Sequence, residues 1–236
     1  MSVDWAAIVD GTWPAAGYQT QGPFRLRQGQ GGGSRVSAAS RIAAVSGADI
    51  DAAEGAMRAM GQKRIFCLRP GDEALDAMLA DRGYDILDPV NIYACPTRHL
   101  TDTPIPRVTV FNIWEPLAIM REIWAQGGIG PERLAVMARA RGPKTGFLMR
   151  HSDQPAGTGF AAVQDGIAMV HALEILPHHR RRGMGVWAMR AAAFWALDNG
   201  AQTLSVICTK ANAGANGLYH SLGMEIVGEY HYRQRV

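Results

Sequence analysis

The sequence lacks several features that would assign a class at once. Its three cysteines, Cys67, Cys95 and Cys208, stand far apart without metal-ligand or Cys-x-x-Cys spacing, which argues against a disulfide framework or a structural zinc site. The histidines also lack ligand spacing, so we predict no metal. No apolar stretch approaches the roughly 18 residues of a membrane span, and the first residues lack the apolar core of a secretion signal. We therefore expect a cytoplasmic protein with no membrane partner.

An excess of charge of one sign is also missing. The chain of 236 residues has 24 Lys and Arg against 21 Asp and Glu, a formal net charge of +3. Its only dense basic run is residues 180–182, whereas a nucleic-acid binder usually carries a long basic stripe. We expect no nucleic-acid partner, and the short run favours a local anion site.

The segments that are present alternate between strand and helix patterns and predict an α/β (α+β) chain. Residues 145–151, 157–164 and 167–175 read as successive antiparallel strands with turn residues between them. A Thr- and Pro-rich stretch predicts a linker at 97–106, between an N-terminal domain at 1–96 and a second domain at 107–236. Within the first domain, residues 24–28 and 35–39 are interpreted as a hairpin joined by the glycine-rich loop 29–33.

The stretch 173–185 carries the strongest chemical pattern. An apolar strand and a proline turn lead into a loop with Gly183 and Gly185, and a long helix follows. The first N–H groups of a helix lack partners and its N-terminus carries partial positive charge, so the backbone can bind an anion where glycines let it approach. A pyrophosphate suits this site, since the Walker and dinucleotide motifs are absent. The alternative is a basic surface turn that precedes a helix by chance.

Two motifs in order carry a family resemblance. The spacing apolar-x-apolar-x-Pro-x-x-Arg-x-x-Gly-x-Gly over residues 173–185 resembles the cofactor loop of the GCN5-related N-acetyltransferase (GNAT) superfamily. Downstream, Asn-x-x-Ala-x-x-Leu-Tyr-x-x-x-Gly-Met over 212–224 resembles that family's second motif, with Met224 replacing Phe. The resemblance covers about residues 108–236. It implies a mixed, mostly antiparallel central sheet flanked by helices.

The resemblance also implies a reaction and its residues. Acetyl-CoA is the implied co-substrate, and a primary amine attacks it directly in a ternary complex. Leu173 and Ile175 would lie along the pantetheine arm, Asn212 would lie on the cofactor side, and Tyr219 would contact the cofactor and protonate the departing thiolate. The pyrophosphate would be held by the backbone amides of Arg180, Arg181, Arg182, Gly183, Met184, Gly185 and Val186.

The attacking amine must lose a proton, because an ammonium group has no lone pair. His171 and Glu174, on the strand before the loop, are the candidate bases, and His171 is preferred. Simple alternation puts them on opposite faces of the strand unless a bulge intervenes. Either residue could instead be an ordinary strand residue without a catalytic role.

A repeated pattern links the two halves of the chain. The strand, helix, glycine and strand over 64–87 recur with the same internal spacing over 204–227. Any α/β unit gives such a pattern, but several consecutive matches favour a smaller, degenerate copy of the same fold in the N-terminal half. In that copy residues 40–45 lack a glycine pair, and Leu79 occupies the position equivalent to Tyr219. We therefore expect the N-terminal copy either to pack against the second domain or to form a wall of the amine site.

The segment after the last predicted helix is short. Few residues follow Gly223, so we expect the sheet either to be completed by a strand of the N-terminal half or to stay short.

The expected acceptor is a small-molecule or peptide amine of unspecified identity, and a homodimer is compatible with the pattern. The alternative function is a non-catalytic acyl-CoA-binding sensor or scaffold.

Overall fold

A computed structural model describes residues 3–235 of the chain. The strands are β1 Gly17–Gln21, β2 Phe24–Gln28, β3 Ala39–Arg41, β4 Arg64–Leu68, β5 Asp85–Pro96, β6 Val110–Ile113, β7 Lys144–His151, β8 Gln154–Gln164, β9 Ile167–Ile175, β10 Thr203–Thr209 and β11 Glu225–Arg235. The helices are α1 Trp5–Thr12, α2 Gly47–Ala59, α3 Glu73–Asp81, α4 Ala118–Gln126, α5 Pro131–Arg139, α6 Met184–Asp198 and α7 Ala213–Ser221.

All eleven strands of the described residues join in one sheet, in the order β1-β2-β3-β4-β11-β5-β10-β9-β8-β7-β6. Neighbouring strands are antiparallel except β3 with β4 and β9 with β10. The predicted fold class, a mostly antiparallel mixed sheet flanked by helices, is confirmed. The sheet passes through both halves of the chain, because β5 lies between β10 and β11 while β11 lies between β4 and β5. A strand of the N-terminal half therefore completes the sheet. This confirms one of the two alternatives predicted from the sequence, the other being a short sheet.

The repeat seen in the sequence is present in the strand pairing. His231 pairs with Leu68, and Cys208 pairs with Asn91. The shift in numbering that carries segment 64–87 onto 204–227 also carries Leu68 onto Cys208 and Asn91 onto His231, so the two pairs are equivalent. The unit β4-α3-β5 and the unit β10-α7-β11 are thus related by an approximate two-fold axis, and each gives its long last strand to the other.

Equivalent helices of the two units end in the same way. Helix α3 is followed by Gly83 with a φ of 76°, and helix α7 by Gly223 with a φ of 66°. The residue after each glycine donates its N–H to a carbonyl five residues back, at 3.1 Å in both units. Positive φ is cheap only for glycine, so the matching positions of these two glycines have a local physical cause.

The predicted hairpin of residues 24–28 with 35–39 is confirmed only in part, because β2 pairs antiparallel with the next strand of the chain but that strand is β3, Ala39–Arg41. On its other side β2 pairs with β1, where Gln21 lies opposite Phe24, and residues Ser34–Val36 form a short 3-10 helix where a strand was predicted. The glycine-rich loop instead packs against α5. A Cβ at Gly32 would lie 2.7 Å from Val136 Cγ2, so these glycines let the loop backbone lie directly on that helix.

The predicted linker at 97–106 begins with an ordered turn. Residues Thr97–Leu100 form a 3-10 helix, and Leu100 is buried in the core cluster that includes α6. Arg190 of α6 also forms an ion pair with Asp102. The division into domains at 1–96 and 107–236 remains a prediction, because the sheet itself runs across both.

Two apolar layers cover the middle of the sheet. Helix α6 lies close to one face because its buried positions are mostly alanines, namely Ala188, Ala191, Ala192, Ala193 and Ala196. The other layer combines Trp124 of α4 and Met137 of α5 with Trp13, which follows α1. Residues from the N-terminal half thus reach the sheet beside β8 and β9.

Candidate active site

The parallel strands β9 and β10 separate halfway along their length. Their pairing runs from Ile167 with Thr203 to Val170 with Val206 and stops there. Beyond that point β9 continues against β8 alone, and β10 continues against β5. Residues 173–175 of β9 are therefore separated from β10. It leaves an unpaired strand edge, to which an extended chain with amide groups can hydrogen-bond.

A bulge in β9 lies at this opening. Ala172 has a φ of 50°, and the pairing with β8 shifts between Thr158 and Phe160. Because His171 pairs with Phe160 and Glu174 with Thr158, the bulge places His171 and Glu174 on the same face of the sheet. The indole N–H of Trp124 donates to the Ala172 carbonyl at 2.8 Å and holds the bulge in place.

Helix α6 starts at the wide end of the opening. Its N-cap is Gly183, with a φ of 78°, and no side chain caps the first turn. Arg181 and Arg182 beside it are exposed. Arg180 is held toward β9, donating to the Ile175 carbonyl at 3.0 Å and pairing with Glu174 at 3.1 Å. Uncapped amides and exposed guanidinium groups thus lie together at the helix start.

The matching helix of the N-terminal half differs at the same point. Helix α2 begins with a capping box, in which Asp49 accepts a hydrogen bond from the Ser46 N–H at 2.8 Å. The side chains of Ser46 and Asp49 therefore satisfy amides at the start of α2, whereas no side chain does so at the start of α6. This contrast gives a physical reason to expect an anion at α6 and none at α2.

The two glycines of the loop serve different purposes. Gly183 needs its positive φ, and a Cβ there would meet nothing nearer than Trp187 at 3.8 Å. A Cβ at Gly185 would lie 2.7 Å from Leu218, so that glycine lets α6 pack against α7. Met184 is buried and Val186 packs against the core beneath α6. The side chains of both therefore anchor the helix start.

Tyr219 lies on α7 with only 4% of its surface exposed. Its ring packs against Tyr93, with 5.3 Å between the ring centroids. Burial raises the pKa of this phenol, and the neighbouring thiol of Cys208 adds to the effect, so Tyr219 stays protonated at physiological pH. Asn212 is the N-cap of α7, where its side-chain oxygen accepts from the Ala215 N–H at 3.0 Å.

His171 is buried among residues of the N-terminal half. The Thr12 hydroxyl donates to the Ile8 carbonyl, so it must accept from His171 Nε2, which lies 2.9 Å away. Arginine can only donate, so Arg35 donates to Nδ1 at 3.0 Å. Both ring nitrogens are therefore engaged in a neutral tautomer. Burial and then the charge of Arg35 lower the pKa of His171 well below its usual value.

A small cavity of about 190 Å³ lies at the opening between the strands. Ala172 of β9 and Thr209 of β10 line its two edges. The N-terminal half contributes Trp13, the loop residues before Arg35, and Arg35 itself. Sequence reasoning missed Trp13 and Arg35, because nothing local in the chain indicates that they contact a strand so much later in the sequence.

Two further properties bear on the kind of site. Among residues 3–235 there is no cluster of three or more His, Cys, Asp or Glu able to hold a metal ion. Within the same residues no helix is both long and apolar enough to cross a bilayer. The positively charged groups at the opening are arginine side chains.

Comparison with known proteins assigns this arrangement to a family. The acetyltransferase (GNAT) family model matches residues 114–224. An uncharacterized N-acetyltransferase of Bacillus subtilis (strain 168), YobR, is 26% identical over 231 residues, which is 94% of each protein.

Two solved structures share the fold. A GCN5-related N-acetyltransferase from Kribbella flavida has a TM-score of 0.70 at 21% identity, over 99% of this chain and 96% of that one. A tandem GNAT protein from the clavulanic acid biosynthesis pathway has a TM-score of 0.56 at 13% identity, over 79% of this chain and 67% of that one. At such identities the likeness concerns the fold.

The open strand edge, the uncapped helix start and these matches define the class of protein. Residues 114–224 form an acetyltransferase domain of the GNAT family, as the family model that matches them shows. The family assignment suggested by the two sequence motifs is confirmed.

Proposed function

We propose that the chain transfers an acetyl group from acetyl-CoA to a primary amine within a ternary complex. The observation that carries this proposal is the separation of β9 from β10 next to the uncapped start of α6. A pantetheine arm fits the strand edge, and a pyrophosphate fits the helix start. The two features are close neighbours, since only residues 176–183 connect them, and one continuous cofactor can therefore contact both.

The proposed cofactor contacts follow from this placement. The amides of residues 180–186 bind the pyrophosphate, with the exposed guanidinium groups of Arg181 and Arg182 adding charge. The backbone at Leu173 and Ile175 pairs with the pantetheine amides. Asn212 acts on the cofactor side by fixing the start of α7, which carries Tyr219.

In the proposed reaction the amine nitrogen attacks the thioester carbonyl carbon. The C–N bond forms and the C–S bond breaks, the thiolate takes a proton from Tyr219, and the amine loses one to a base. A protonated phenol is the form that can act as the acid, which agrees with the raised pKa of Tyr219. Binding both reactants in the opening supplies the rate gain of proximity.

His171 and Glu174 remain the candidate bases, and their contacts reverse the preference between them. His171 Nδ1 accepts a hydrogen bond from Arg35, so its lone pair is not available to a substrate, and Nε2 donates to the Thr12 hydroxyl. Glu174 lies on the same face and uses Oε1 for Arg180. We therefore propose that Glu174 receives the proton through water and that His171 positions Arg35.

The engagement of both candidate bases in other contacts also favours a second function, a non-catalytic acyl-CoA sensor. The two functions are separated by measuring acetyl-CoA binding by calorimetry and CoA release with a panel of primary amines. Binding with turnover supports the transferase, whereas tight binding without turnover on any amine supports the sensor. Absence of binding to acetyl-CoA overturns both.

Two kinds of variant sharpen that experiment. Tyr219→Phe should keep acetyl-CoA binding but lower kcat, because only the proton donor is lost. Glu174→Gln and His171→Gln then compare the two bases. If Glu174→Gln keeps full activity at every pH while His171→Gln abolishes it with unchanged stability, the assignment of the base to Glu174 is wrong.

A further inference from the structure

Arg35 is a largely buried cation that lines the cavity at the opening between β9 and β10. It donates to His171 Nδ1 at 3.0 Å and lies 5.8 Å from the centre of the Trp13 ring. The hydroxyls of Tyr230 and Tyr232 are its other polar neighbours. Its Nε is buried and has no hydrogen-bond partner among the described residues.

No carboxylate of residues 3–235 forms an ion pair with Arg35. A second arginine of the same half shows the usual arrangement. Arg27 is 4% exposed, and both oxygens of Asp10 accept from its guanidinium, at 2.8 and 2.9 Å. Taking a charge out of water is costly unless a counter-ion offsets it. Arg35 therefore has the charge and the free donor of an anion site, without the anion.

The position of Arg35 connects it to the transfer reaction. It lines the cavity of about 190 Å³ whose edges are Ala172 and Thr209, where the thioester would enter. The other charged residues lining this cavity are Arg133, which lies beside Gly33, and Asp88, and both are exposed. Because Arg35 is the least exposed of these three residues, the charge in the buried part of the cavity is positive.

We propose that the acceptor is a small amine that also carries a carboxylate, as in an amino acid, and that Arg35 binds this carboxylate. This inference rests on the proposed function and specifies its acceptor. The planar guanidinium offers two parallel N–H donors to a carboxylate, and its Nε is one that lacks a partner at present. The cavity lies below the usual range of about 300–1,000 Å³ for drug-sized ligands, which suits a small acceptor.

The test compares acceptors that differ only at the carboxylate. Each L-amino acid is assayed beside its carboxamide and its decarboxylated amine, with CoA release as the readout. For at least one amino acid we expect kcat/KM to exceed that of its amide by ten-fold or more. Arg35→Met should reduce this preference to within about two-fold, while the affinity for acetyl-CoA stays unchanged.

Arg58→Met is the matched control, because Arg58 is 58% exposed on α2 and lies outside the cavity. It should keep both the activity and the preference. If Arg35→Met does not fold, the comparison of acid with amide on the unaltered protein still decides. Equal rates for acid and amide, turnover of decarboxylated amines alone, or no turnover of any amino acid overturns the inference. Acetyl-CoA binding is measured separately. Absence of that binding would contradict the proposed function itself, whereas the outcomes above contradict only the assignment of the acceptor.

Discussion

Asp76 of α3 and Asn216 of α7 occupy equivalent positions in the two repeated units, and each holds the long strand of the other unit. Asp76 accepts from Arg233 Nε of β11 at 2.7 Å. Asn216 accepts from the Tyr93 hydroxyl of β5 at 2.8 Å. Arg233 and Tyr93 are themselves equivalent under the same repeat. The exchange of strands is therefore fastened by an ion pair on one side and by a neutral hydrogen bond on the other.

Replacing Asp76 by Asn should destabilise the protein by about 1.5 kcal/mol at pH 7, the lower end of the range for a hydrogen bond to a charged group, because Asp76 is partly exposed. The pKa of Asp76 is lowered, first by Arg233 and then by His231. A lowered pKa in the folded state gives stability that is present above the unfolded value of about 4 and is lost as the pH falls through the folded value. Urea unfolding of both proteins should therefore show a difference that shrinks toward pH 3.

The control for this prediction is Asp81→Asn, an exposed position on the same helix. It should change stability by less than about 0.5 kcal/mol at either pH. A difference for Asp76→Asn that stays constant from pH 7 to pH 3 would contradict the ion-pair explanation.

His171 should make the protein less stable as the pH falls from 7 to 5. Its pKa is lowered well below the usual value in the folded state, so below about 6.5 the unfolded chain binds a proton that the folded chain does not. The slope approaches about 1.4 kcal/mol per pH unit for one proton. His171→Gln keeps a polar group and should flatten the curve of unfolding free energy against pH. An unchanged curve in that variant would show that His171 titrates normally in the folded protein.

Much of the fold was accessible from the sequence because its causes are local. The helix-ending glycines Gly83 and Gly223 require positive φ and therefore reveal the repeat. The first glycine run was misread for a related reason. Position 32 requires a glycine because α5, much later in the chain, leaves no room for a Cβ. The residues around Gly32 do not indicate this contact.

Gly183 and Gly200 bound the same helix with nearly the same φ, at values of 78° and 80°. Replacing either by Leu should cost about 1–3 kcal/mol, because side chains rarely adopt this conformation. Only Gly183→Leu should weaken acetyl-CoA binding, by ten-fold or more in Kd, since Gly200 lies at the opposite end. Calorimetry on both variants checks this. Equal affinities in the two variants would argue against pyrophosphate binding at the start of α6.

Tyr219→Phe should lower kcat about 10²-fold or more, the usual effect of losing a general acid. The raised pKa of Tyr219 also means that its ionisation does not reduce the activity of the unaltered protein between pH 8 and 10. Tyr84→Phe serves as the control, because Tyr84 is similarly buried and its hydroxyl donates to Glu54 at 2.8 Å, away from the opening. It should lose stability and keep kcat. A kcat for Tyr219→Phe within three-fold of the unaltered protein would remove Tyr219 from the mechanism.

The proposed cofactor side of the site was more accessible to sequence reasoning than the proposed acceptor side. The loop and helix start of residues 180–186 are contiguous in the chain, so spacing alone describes them. The proposed acceptor side is assembled from Thr12, Arg35 and Tyr230, which lie in three distant segments. Even the relation of His171 to Glu174 depended on the bulge at Ala172, which no periodicity indicates.

The exchange of strands predicts that residues 104–236, which contain the whole matched family region, do not fold alone. Strand β10 pairs with β5 over Thr203–Thr209, and β11 is paired with β5 on one side and β4 on the other. Without the N-terminal half, both edges of β11 and the β5-facing edge of β10 lose their partners and meet water. The fragment should be insoluble or lack a cooperative unfolding transition, and co-expression with residues 1–103 should restore a soluble complex that binds acetyl-CoA. A monomeric fragment 104–236 that melts cooperatively and binds acetyl-CoA would show instead that the N-terminal strands are dispensable for this fold.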